Sequence, residues 1–393
     1  MKLVRKIFGS IAKKMFFRVP YVKFSAQTLY KTLQACLYMY EISKEQKWIK
    51  RAKEIGKLIK KSQLKNGGFD VKYDYTFGSG LNHLKGQALS CETTAITSLL
   101  QFEIISGSNE FTNVIQKGIN WIHNNSIRLT DSSYTIPYCP EAFSETCILN
   151  GVSFASAALG LGIVSYPSIE NQLIYERYIN FLYQKIEKTE SKGFWRYFDS
   201  DCSEIDSVLI EKIDYYHLAQ QVEIHSIAQK YNPINQQKEM ILLAANFIVA
   251  LHEKYGIVPY DNKNFFGGHI HSWGLSSIIP GMIEAATIHL ERYDDYMKVA
   301  TETAEWLLSH AWSGEYFYDI LTIHGIPVSK DYMVRSDAWC LQAFAKYYAH
   351  SADERFKDVV EICYKKIEIN NFSGKEKHAR SKFQTYLQKF QKR

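Results

Sequence analysis

The sequence has 393 residues, of which 46% are hydrophobic, 22% charged and 14% aromatic, with 21 Gly and 8 Pro. This composition excludes an intrinsically disordered chain, a collagen-like repeat and a small disulfide scaffold. No apolar run approaches the roughly 20 residues that a membrane-spanning helix requires. We therefore expect a protein that buries a large core and is either soluble or bound to a surface.

The formal net charge of +6 is concentrated at the two ends of the chain. Residues 1–18 carry +6 and residues 375–393 carry a further +6, so the body between them carries −6. A nucleic-acid groove built into the fold would need a basic body. We therefore predict no nucleic-acid partner.

Residues 1–25 form the first predicted unit, a basic amphipathic segment. Ser10 and Lys13 interrupt its apolar stretch too early for a secretion signal. An apolar stripe opposite six cations is typical of a helix lying in an anionic membrane interface, and the alternative is a helix packed on the body. The stripe consists of Leu3, Val4, Ile7, Phe8, Ile11, Met15 and Phe16. A second basic segment, residues 373–393, repeats the pattern with Phe383, Tyr386, Leu387 and Phe390.

We expect residues 1–18 to hold the protein on anionic liposomes, with an affinity that falls as salt rises. Exposed charges are screened over about 8–10 Å at physiological ionic strength, which explains the salt dependence. Co-sedimentation with phosphatidylglycerol vesicles would measure the binding. Deleting residues 1–18 should release the protein, and equal binding of the truncated protein would contradict this expectation.

The predicted location is cytoplasmic, with the inner face of the membrane as the anionic surface.

Five loop segments recur about every 60 residues, starting at positions 68, 133, 193, 256 and 314. Four of them begin with Gly, continue through aromatic or aliphatic residues and end on an aromatic residue followed by Asp. Between the loops, apolar residues recur at helical spacing. Short polar turns at residues 43–44, 106–109, 166–168, 231–233, 293–295 and 350–353 divide the chain into pairs of helices.

Six helical hairpins that alternate a short with a long connection predict an all-α (α/α)6 toroid over residues 26–372. Its Gly-aromatic loops should share one rim, at the N-terminal ends of the inner helices. An open solenoid is the alternative, but its connections would normally all be short. A closed ring requires residues 26–45 to pack against residues 335–368. Loops that converge over a concave floor form ligand sites, so we expect the site on this rim.

The rim carries aromatic side chains beside Arg, His, Asn and acidic residues. Aromatic rings pack on the C–H faces of sugars, polar groups read hydroxyls, and Arg can bind a carboxylate bidentately. For each aromatic residue the alternative is that it packs its loop against the ring. The predicted substrate-binding residues are Asn66, Gln87, Glu145, Trp195, Arg196, His271, Trp273, Arg335 and Asp337.

Neither a metal nor a cofactor is predicted. His269 and His271 alternate on an extended segment and would face the same way, but zinc needs three or four ligands and the sequence fixes no third. A phosphate-binding Gly-rich loop and a Gly-x-Ser-x-Gly elbow are both missing from the sequence. The seven cysteines are scattered without a Cys-x-x-Cys pair, which is typical of reduced thiols.

Several short motifs follow one another between residues 63 and 230. They are Asn66-Gly67-Gly68-Phe69, Gly86-Gln87-Ala88-Leu89-Ser90, Tyr138 and Pro140 before Leu149-Asn150-Gly151, the aromatic loop at Gly193, and Asp214-Tyr215-Tyr216-His217. In order and spacing they resemble the C-terminal catalytic domain of the D-glucuronyl C5-epimerases. The resemblance implies a toroid that acts on a uronate-containing glycan, with catalytic residues Tyr138, Tyr215 or Tyr216, and His217.

The chain departs from that family in three places. Pro137 stands where the family has an acidic residue, and one extra tyrosine precedes His217. The family's arginine after the fourth loop has no match in place, although Arg196 is close by in sequence. These departures put the reaction type in question.

The implied reaction begins with removal of the C5 proton of a uronate. The site must supply a base on one face of the sugar and cations or hydrogen-bond donors around its carboxylate. A tyrosine, with an ordinary pKa of about 10, can be that base only if a cation lowers its pKa. Arg196, His217, His271 or Arg335 could provide this cation. Reprotonation from the opposite face gives a C5-epimerase, whereas expulsion of the 4-linked group gives a lyase.

Two other functions remain open on the same scaffold. A glycoside hydrolase would need two carboxylates about 5–10 Å apart, for example among Glu145, Asp214 and Asp337. A non-catalytic glycan-binding or scaffold toroid would need no reactive group. For the epimerase or lyase and for the hydrolase, the predicted partner is an oligo- or polysaccharide substrate, which places the protein in polysaccharide metabolism.

Overall fold

Helices dominate the computed structural model, which describes residues 17–18, 20–77, 81–144, 147–199, 201, 211–262, 269–376 and 379–380. Six helical hairpins follow one another along these ranges. They are α1 (Ala26–Ser43) with α2 (Gln46–Ser62), α3 (Thr94–Ser106) with α4 (Thr112–Asn125), α5 (Leu149–Ser165) with α6 (Ile169–Lys185), α7 (Tyr215–Tyr231) with α8 (Asn235–Tyr255), α9 (Ser272–Ser276) and α10 (Ile278–Ile288) with α11 (Tyr293–Trp306), and α12 (Val334–Ser351) with α13 (Glu354–Ile369).

The inner helices close into a ring. Helix α1 packs against α3, α3 against α5, α5 against α7, α7 against α10, α10 against α12, and α12 against α1. The last contact joins the first and the last hairpins, as the loop spacing predicted. The (α/α)6 toroid is therefore confirmed, and the open solenoid is excluded.

Burial differs between the two layers of the ring in the way its geometry requires. Inner helix α5 buries every residue from Leu149 to Gly162, because it contacts its neighbours on both sides and an outer helix behind it. Outer helix α2 buries one stripe, with Trp48, Ala52, Ile55 and Ile59 at spacings of three and four. The apolar core therefore lies between the two layers and runs around the whole ring.

Short antiparallel strand pairs stiffen the loops that lead into the inner helices. They are β1 (Phe17–Arg18) with β12 (Ala379–Arg380), β2 (Tyr21–Val22) with β11 (Gly374–Lys375), β3 (Tyr75–Phe77) with β4 (Leu81–His83), β5 (Ile127–Arg128) with β6 (Tyr134–Thr135), β7 (Glu187–Thr189) with β8 (Lys192–Phe194), and β9 (His269–His271) with β10 (Ile320–Thr322). These pairs position the loop side chains over the N-terminal ends of the inner helices.

One predicted turn is displaced. The turn between α10 and α11 lies at residues 289–292, four residues before the predicted position. Asp294 and Asp295 instead occupy the first turn of α11, where carboxylates interact favourably with the positive end of the helix dipole. Acidic residues that the sequence analysis took as loop residues thus begin a helix.

The predicted membrane-binding stripe of residues 3–16 lies outside the described residues, as do the apolar residues of 383–390. Phe17 and Arg18 belong to β1 and not to a helix. Within the described ranges, every helix is too short or too polar to cross a bilayer.

Candidate functional site

An aromatic cluster lies where α7, α9 and α12 begin. It consists of Tyr216, Tyr260, Trp273 and Trp339, and each of these side chains is buried or half-buried. The Tyr216 and Tyr260 rings stack with centroids 4.5 Å apart, and Trp273 meets Tyr216 edge-on at 4.9 Å and Trp339 at 5.5 Å. Three neighbouring hairpins and one rim loop therefore contribute to one continuous aromatic surface.

Arg335 lies across this cluster from the first turn of α12. Its guanidinium carbon is 4.2 Å from the Trp273 ring centroid and 5.1 Å from that of Trp339. Arg335 Nε and Trp339 Nε1 are both buried and have no hydrogen-bond acceptor among the described residues. A buried donor without a partner costs about 1–3 kcal/mol. Two such donors on one aromatic surface are typical of a site that receives a polar ligand.

His217 is held beside the cluster by a buried carboxylate. Asp214 precedes α7 and His217 lies in its first turn, so the two side chains lie on the same side of the helix start. His217 Nδ1 is 3.0 Å from Asp214 Oδ2, and Lys212 Nζ is 2.8 Å from Asp214 Oδ1. The Tyr197 ring stacks on His217 at 5.3 Å, and the Tyr216 ring lies 3.9 Å from it.

The charge of Asp214 fixes which His217 nitrogen carries the proton. Burial alone would raise the pKa of the Asp214 carboxyl, but Lys212 and His217 together hold this pKa below its ordinary value. An ionised carboxylate only accepts hydrogen bonds, so His217 Nδ1 is the donor. In the neutral imidazole the basic atom is then Nε2, which is the arrangement of an oriented acid–base histidine.

Tyr138 belongs to a group of phenols and thiols next to Tyr197. Tyr75 Oη donates to Tyr138 Oη at 3.3 Å, and Cys91 Sγ donates to the same oxygen at 3.1 Å. Burial raises the pKa of Tyr138 well above its ordinary value, and Cys91, Tyr75 and Tyr197 raise it further. The cation that a tyrosine base requires is not among these influences. Tyr138 therefore suits a hydrogen-bond donor better than a base.

Gly151 explains why the Leu-Asn-Gly motif accompanies Tyr138. A Cβ at this position would lie 3.1 Å from the Tyr138 ring and would collide with the Ser90 hydroxyl. The start of α5 can approach the Tyr138 loop this closely only with glycine at position 151. The motif thus positions the tyrosine through backbone contact.

Buried charges line the inner helices below the aromatic cluster, and sequence reasoning missed them. Lys31 Nζ is 3.5 Å from Glu223 Oε2 and lies over the Trp339 ring at 4.8 Å. Gln342 Nε2 donates to Glu223 Oε1 at 2.6 Å. Both charged side chains are almost fully buried. The sequence did contain a signal for this pair, since each residue is a charge within the most apolar stretch of its helix, α1 or α7. Such residues are rarely buried unless they are paired.

Glu92 is a second carboxyl that sequence reasoning missed. It immediately precedes α3, and Gln27 Nε2 donates to its Oε1 at 2.6 Å. Burial raises the pKa of Glu92, which favours its protonated form. Its position just before an inner helix, like that of Asp214, could have identified it.

Three predicted residues lie away from the cluster. Tyr215 packs against Phe247 of outer helix α8, with ring centroids 6.1 Å apart, and burial raises its pKa to about 12. Trp195 is buried in the core, where Nε1 donates to the Leu182 carbonyl at 2.9 Å. Arg196 pairs with Glu187 and Glu211 at the rim and is partly exposed. Of the two tyrosines between which the sequence left the choice open, Tyr216 lies in the aromatic cluster and Tyr215 faces α8.

Asn66 and Gln87 shape their own loops. Asn66 Oδ1 accepts from the Gly68 backbone N–H at 2.9 Å, around Gly67, whose φ of +95° favours glycine. Gln87 Oε1 accepts from the Leu84 backbone N–H at 2.8 Å. Their hydrogen bonds with the backbone explain the motifs without a ligand.

His271 lies on β9 beside the cluster, with its ring 4.7 Å from Tyr260 and 5.9 Å from Trp273. The structure therefore brings Tyr216, His217, His271, Trp273 and Arg335 together, with Tyr138 joined to them through Tyr197. Glu145 lies outside the described residues.

Asp337 faces the loop behind α12. Its Oδ1 accepts from the Phe317 backbone N–H at 2.7 Å, and its neighbours include Tyr332 of the loop before α12 and Cys363 of outer helix α13. Burial raises the pKa of Asp337 to about 8. This carboxyl holds a loop in place, so its contacts do not favour the predicted role in substrate binding or hydrolysis.

We expect Asp337→Asn to stabilise the protein above pH 8. The folded state binds the Asp337 proton more tightly than the unfolded chain does, so this group's contribution to stability is lost as pH rises from about 4 to about 8. Asparagine can still accept from the Phe317 N–H and does not titrate. The melting temperature should exceed that of the wild type by several degrees at pH 8.5 and by less at pH 5. Asp358→Asn, at an exposed position on α13, is the control, and an unchanged pH slope in Asp337→Asn would contradict the assignment.

The described residues contain no group of three His, Cys, Asp or Glu side chains placed to hold a metal ion. Within the same ranges no disulfide bond joins Cys36, Cys91, Cys139, Cys147, Cys340 and Cys363.

Comparison of the sequence with known protein families and with curated proteins found no match. Solved structures of the same fold were found. The cellobiose 2-epimerase from Spirochaeta thermophila has a TM-score of 0.61 and 11% identity, covering 90% of this chain and 98% of its own. D-mannose isomerase has a TM-score of 0.62 and 12% identity, covering 85% and 92%. An unsaturated glucuronyl hydrolase specific for heparin has a TM-score of 0.59 and 11% identity, covering 86% and 92%.

These similarities show that the chain has the toroid fold of a group of carbohydrate-active enzymes. At identities of 11–12%, the comparison shows a shared fold and does not show a shared activity. The resemblance to the D-glucuronyl C5-epimerases stays a prediction. Any activity of this chain has to be argued from the side chains at its own site.

Proposed function

We propose that this protein is a sugar epimerase or isomerase that moves a proton at a carbon next to a carbonyl or carboxylate group. The observation that carries the proposal is His217, oriented by buried Asp214 and placed beside an aromatic cluster that Arg335 crosses. This arrangement combines a base, a surface for sugar rings and a fixed positive charge. The named structures of the same fold, which include an epimerase and an isomerase, support the choice of carbohydrate.

The aromatic cluster provides the binding surface. Trp273 and Trp339 can pack against the C–H face of a sugar ring, while Arg335 Nε and Trp339 Nε1 can donate to its oxygens. Buried donors that find an acceptor only in the ligand favour the bound state by removing their own desolvation cost. A hydroxyl-rich ring therefore fits the site better than an apolar ligand does.

The proton transfer begins with a neutral His217. Its Nε2 accepts the proton from the sugar carbon, and Asp214 stabilises the imidazolium that forms. The electron pair left on carbon moves onto the neighbouring oxygen and forms an enolate. Arg335 can stabilise that negative charge in the buried site. Protonation of the opposite face by a second acid gives an epimer, and the His217 proton then restores that acid through solvent. Return of the His217 proton to the neighbouring carbon gives an isomer, when a proton also moves from the hydroxyl of the first carbon to the enolate oxygen.

Tyr138 and Tyr75 are suited to donate hydrogen bonds during this reaction, because burial keeps both phenols protonated. Either phenol could protonate the face of the sugar opposite to His217. This is a different assignment from the tyrosine base expected from the sequence, and it rests on the raised pKa of Tyr138.

The C5 of a uronate, predicted from the sequence, and the C2 of an open-chain aldose are both chemically suitable carbons. In each case the proton is acidified by the neighbouring carboxylate or carbonyl group. With a 4-linked uronate the same first step would allow elimination, so a lyase uses the same residues. Polysaccharide metabolism and the identity of the glycan stay predictions.

Hydrolysis is less well supported. Asp214 is already engaged by Lys212 and His217, and Asp337 holds the loop at Phe317. A hydrolase needs one carboxyl to protonate the leaving group and a second as nucleophile or base. Two of the three carboxylates predicted for this role therefore have other partners, and the third, Glu145, lies outside the described residues.

Proton exchange in deuterated water tests the proposal. We expect incubation of cellobiose, mannose, glucose and uronate oligosaccharides with the enzyme to place deuterium at C2 or C5 of at least one sugar, without cleavage, as seen by NMR. Tyr215→Phe should retain this exchange, because Tyr215 packs against α8. Cleavage by water without deuterium incorporation would indicate a hydrolase. Absence of both reactions with every sugar would favour the non-catalytic scaffold.

A further inference from the structure

The C-terminal segment of residues 370–376 crosses the mouth of the ring and places a carboxylate in the site. Strand β11 pairs with β2, Ser25 N donates to the Phe372 carbonyl at 2.8 Å, and Glu376 N donates to the Pro20 carbonyl at 3.1 Å. Gly374 packs against Val334 at the start of α12, where a Cβ would come within 2.9 Å of the Val334 Cβ. The segment is therefore fixed against the same helix turn that carries Arg335.

Glu376 is buried at the end of this segment. Its side chain is 2% exposed, and its Oε2 lies 3.9 Å from Arg335 Nη1. Tyr73 lies beside both groups, since Glu376 raises its pKa further after burial and Arg335 opposes the rise. A residue from outside the helical hairpins thus belongs to the wall of the site.

Carboxylates balance the cations around the site. Lys31 pairs with Glu223, Lys212 with Asp214, and Arg335 with Glu376. Lys72 donates to the Phe24 carbonyl and lies near Glu376 and two further acidic groups. The acidic neighbours of Lys72 are Asp70, Glu92 and Glu376. Among the described residues, the four cations therefore face five carboxyl groups, and the Asp70 carboxylate is also 3.2 Å from His83 Nε2.

This balance bears on the charge of the ligand. A ligand carboxylate that enters a buried site loses its hydration. It binds only if a cation that is not already paired with a protein carboxylate compensates this loss. A sugar hydroxyl has no such requirement, because it donates to a carboxylate and accepts from a guanidinium at the same time. At 3.9 Å, Arg335 Nη1 and Glu376 Oε2 are beyond direct hydrogen-bond distance of each other, and a hydroxyl oxygen beside the pair can contact both groups.

We propose that Glu376 is a specificity-determining residue, which with Arg335 binds the hydroxyls of a neutral sugar and excludes acidic sugars. This inference rests on the proposed function and narrows its substrate class. It departs from the uronate predicted by sequence resemblance. The Glu376 carboxylate supplies the repulsion, because it would lie next to any ligand carboxylate bound by Arg335.

The test uses D-glucose and D-glucuronate, which differ only at C6, as ligands for the full-length protein. Titration followed by NMR would measure both dissociation constants, with deuterium exchange measured in the same samples. We expect the wild type to prefer glucose by at least about tenfold, the lower end of what like-charge juxtaposition costs. Glu376→Gln should reduce this preference at least tenfold, and Glu376→Asp should retain part of it. Circular dichroism and melting temperature would check that each variant is folded.

Glu361→Gln is the matched control, because Glu361 is a surface carboxylate on α13 that pairs with Lys47. It removes one negative charge far from the mouth and should leave the preference unchanged. A wild-type preference for glucuronate, or the same preference in Glu376→Gln as in the wild type, would overturn the specificity inference while sugar binding and exchange continue. Failure of the wild type to bind either sugar would overturn the specificity inference, whereas absence of proton exchange with every sugar, including cellobiose, mannose and the uronate oligosaccharides, would overturn the proposed function.

Discussion

Replacing His217 by Gln is expected to lower the rate of deuterium exchange by about 10²–10⁴-fold, the usual contribution of a positioned acid–base group. Glutamine keeps the length and polarity of the side chain but cannot take a proton at neutral pH. Sugar binding should change little, because the aromatic cluster and Arg335 are untouched. Initial exchange rates by NMR and dissociation constants from titration would separate the two effects.

Asp214→Asn provides a second measurement at the same site. The amide no longer stabilises an imidazolium, so the rate should fall and the midpoint of its rise with pH should move to lower pH. The control is His123→Gln on outer helix α4, where His123 is paired at the surface with Glu170. An unchanged exchange rate in His217→Gln would show that another group removes the proton, and Tyr138→Phe would then be the next variant to measure.

The ring could be predicted from the sequence because its signals are local and repeated. Gly-aromatic loops every 60 residues and polar turns between apolar stretches mark each hairpin without any knowledge of tertiary contacts. The turn at residues 293–295 was misplaced because Asp294 and Asp295 suit a loop and a first helical turn equally well. The prediction was therefore wrong at a helix boundary, whereas the number and order of the hairpins were predicted correctly.

The site was harder to predict because inner helices are buried on all sides. Polar and apolar residues are spread all around helix α7. The sequence therefore does not tell which of Tyr215 and Tyr216 faces the aromatic cluster. Lys31 and Glu223 are 192 positions apart in sequence and meet only when the ring closes. Trp195 and Asp337 illustrate the opposite difficulty, because a rim aromatic or a buried carboxyl can bind a substrate or hold a loop in place, and the sequence does not distinguish the two.

Glu376 could not be placed from the sequence at all. The sequence pattern assigned it to the basic segment of residues 373–393, outside the toroid. The pairing of β11 with β2, together with the hydrogen bond to Pro20, brings this residue over the ring. Contacts between the two ends of a chain leave no local pattern, so a terminal residue that completes a site is found only from the structure.

Arg335→Met is expected to lower kcat/KM for exchange by about 10²–10³-fold, as removal of a donor that stabilises an oxyanion does. It should also destabilise the fold by about 3–5 kcal/mol, because the buried Glu376 carboxylate would lose the guanidinium 3.9 Å away. Urea unfolding would measure the stability, and NMR exchange would measure the activity. The methionine side chain keeps the apolar contact with Trp273 and Trp339.

The double variant Arg335→Met/Glu376→Gln separates these two effects. Removing both charges should recover most of the lost stability, since a neutral amide is far cheaper to bury than an unpaired carboxylate. Activity should stay low, because the guanidinium that faces the developing oxyanion is still missing. Arg196→Met is the matched control at the rim, where the partly exposed pairs with Glu187 and Glu211 should contribute no more than about 1 kcal/mol. Equal stability of the single and double variants would show that Arg335 and Glu376 are not coupled. Loss of activity in Arg196→Met, with full activity in Arg335→Met, would assign the cation to Arg196, another of the four candidates named from the sequence.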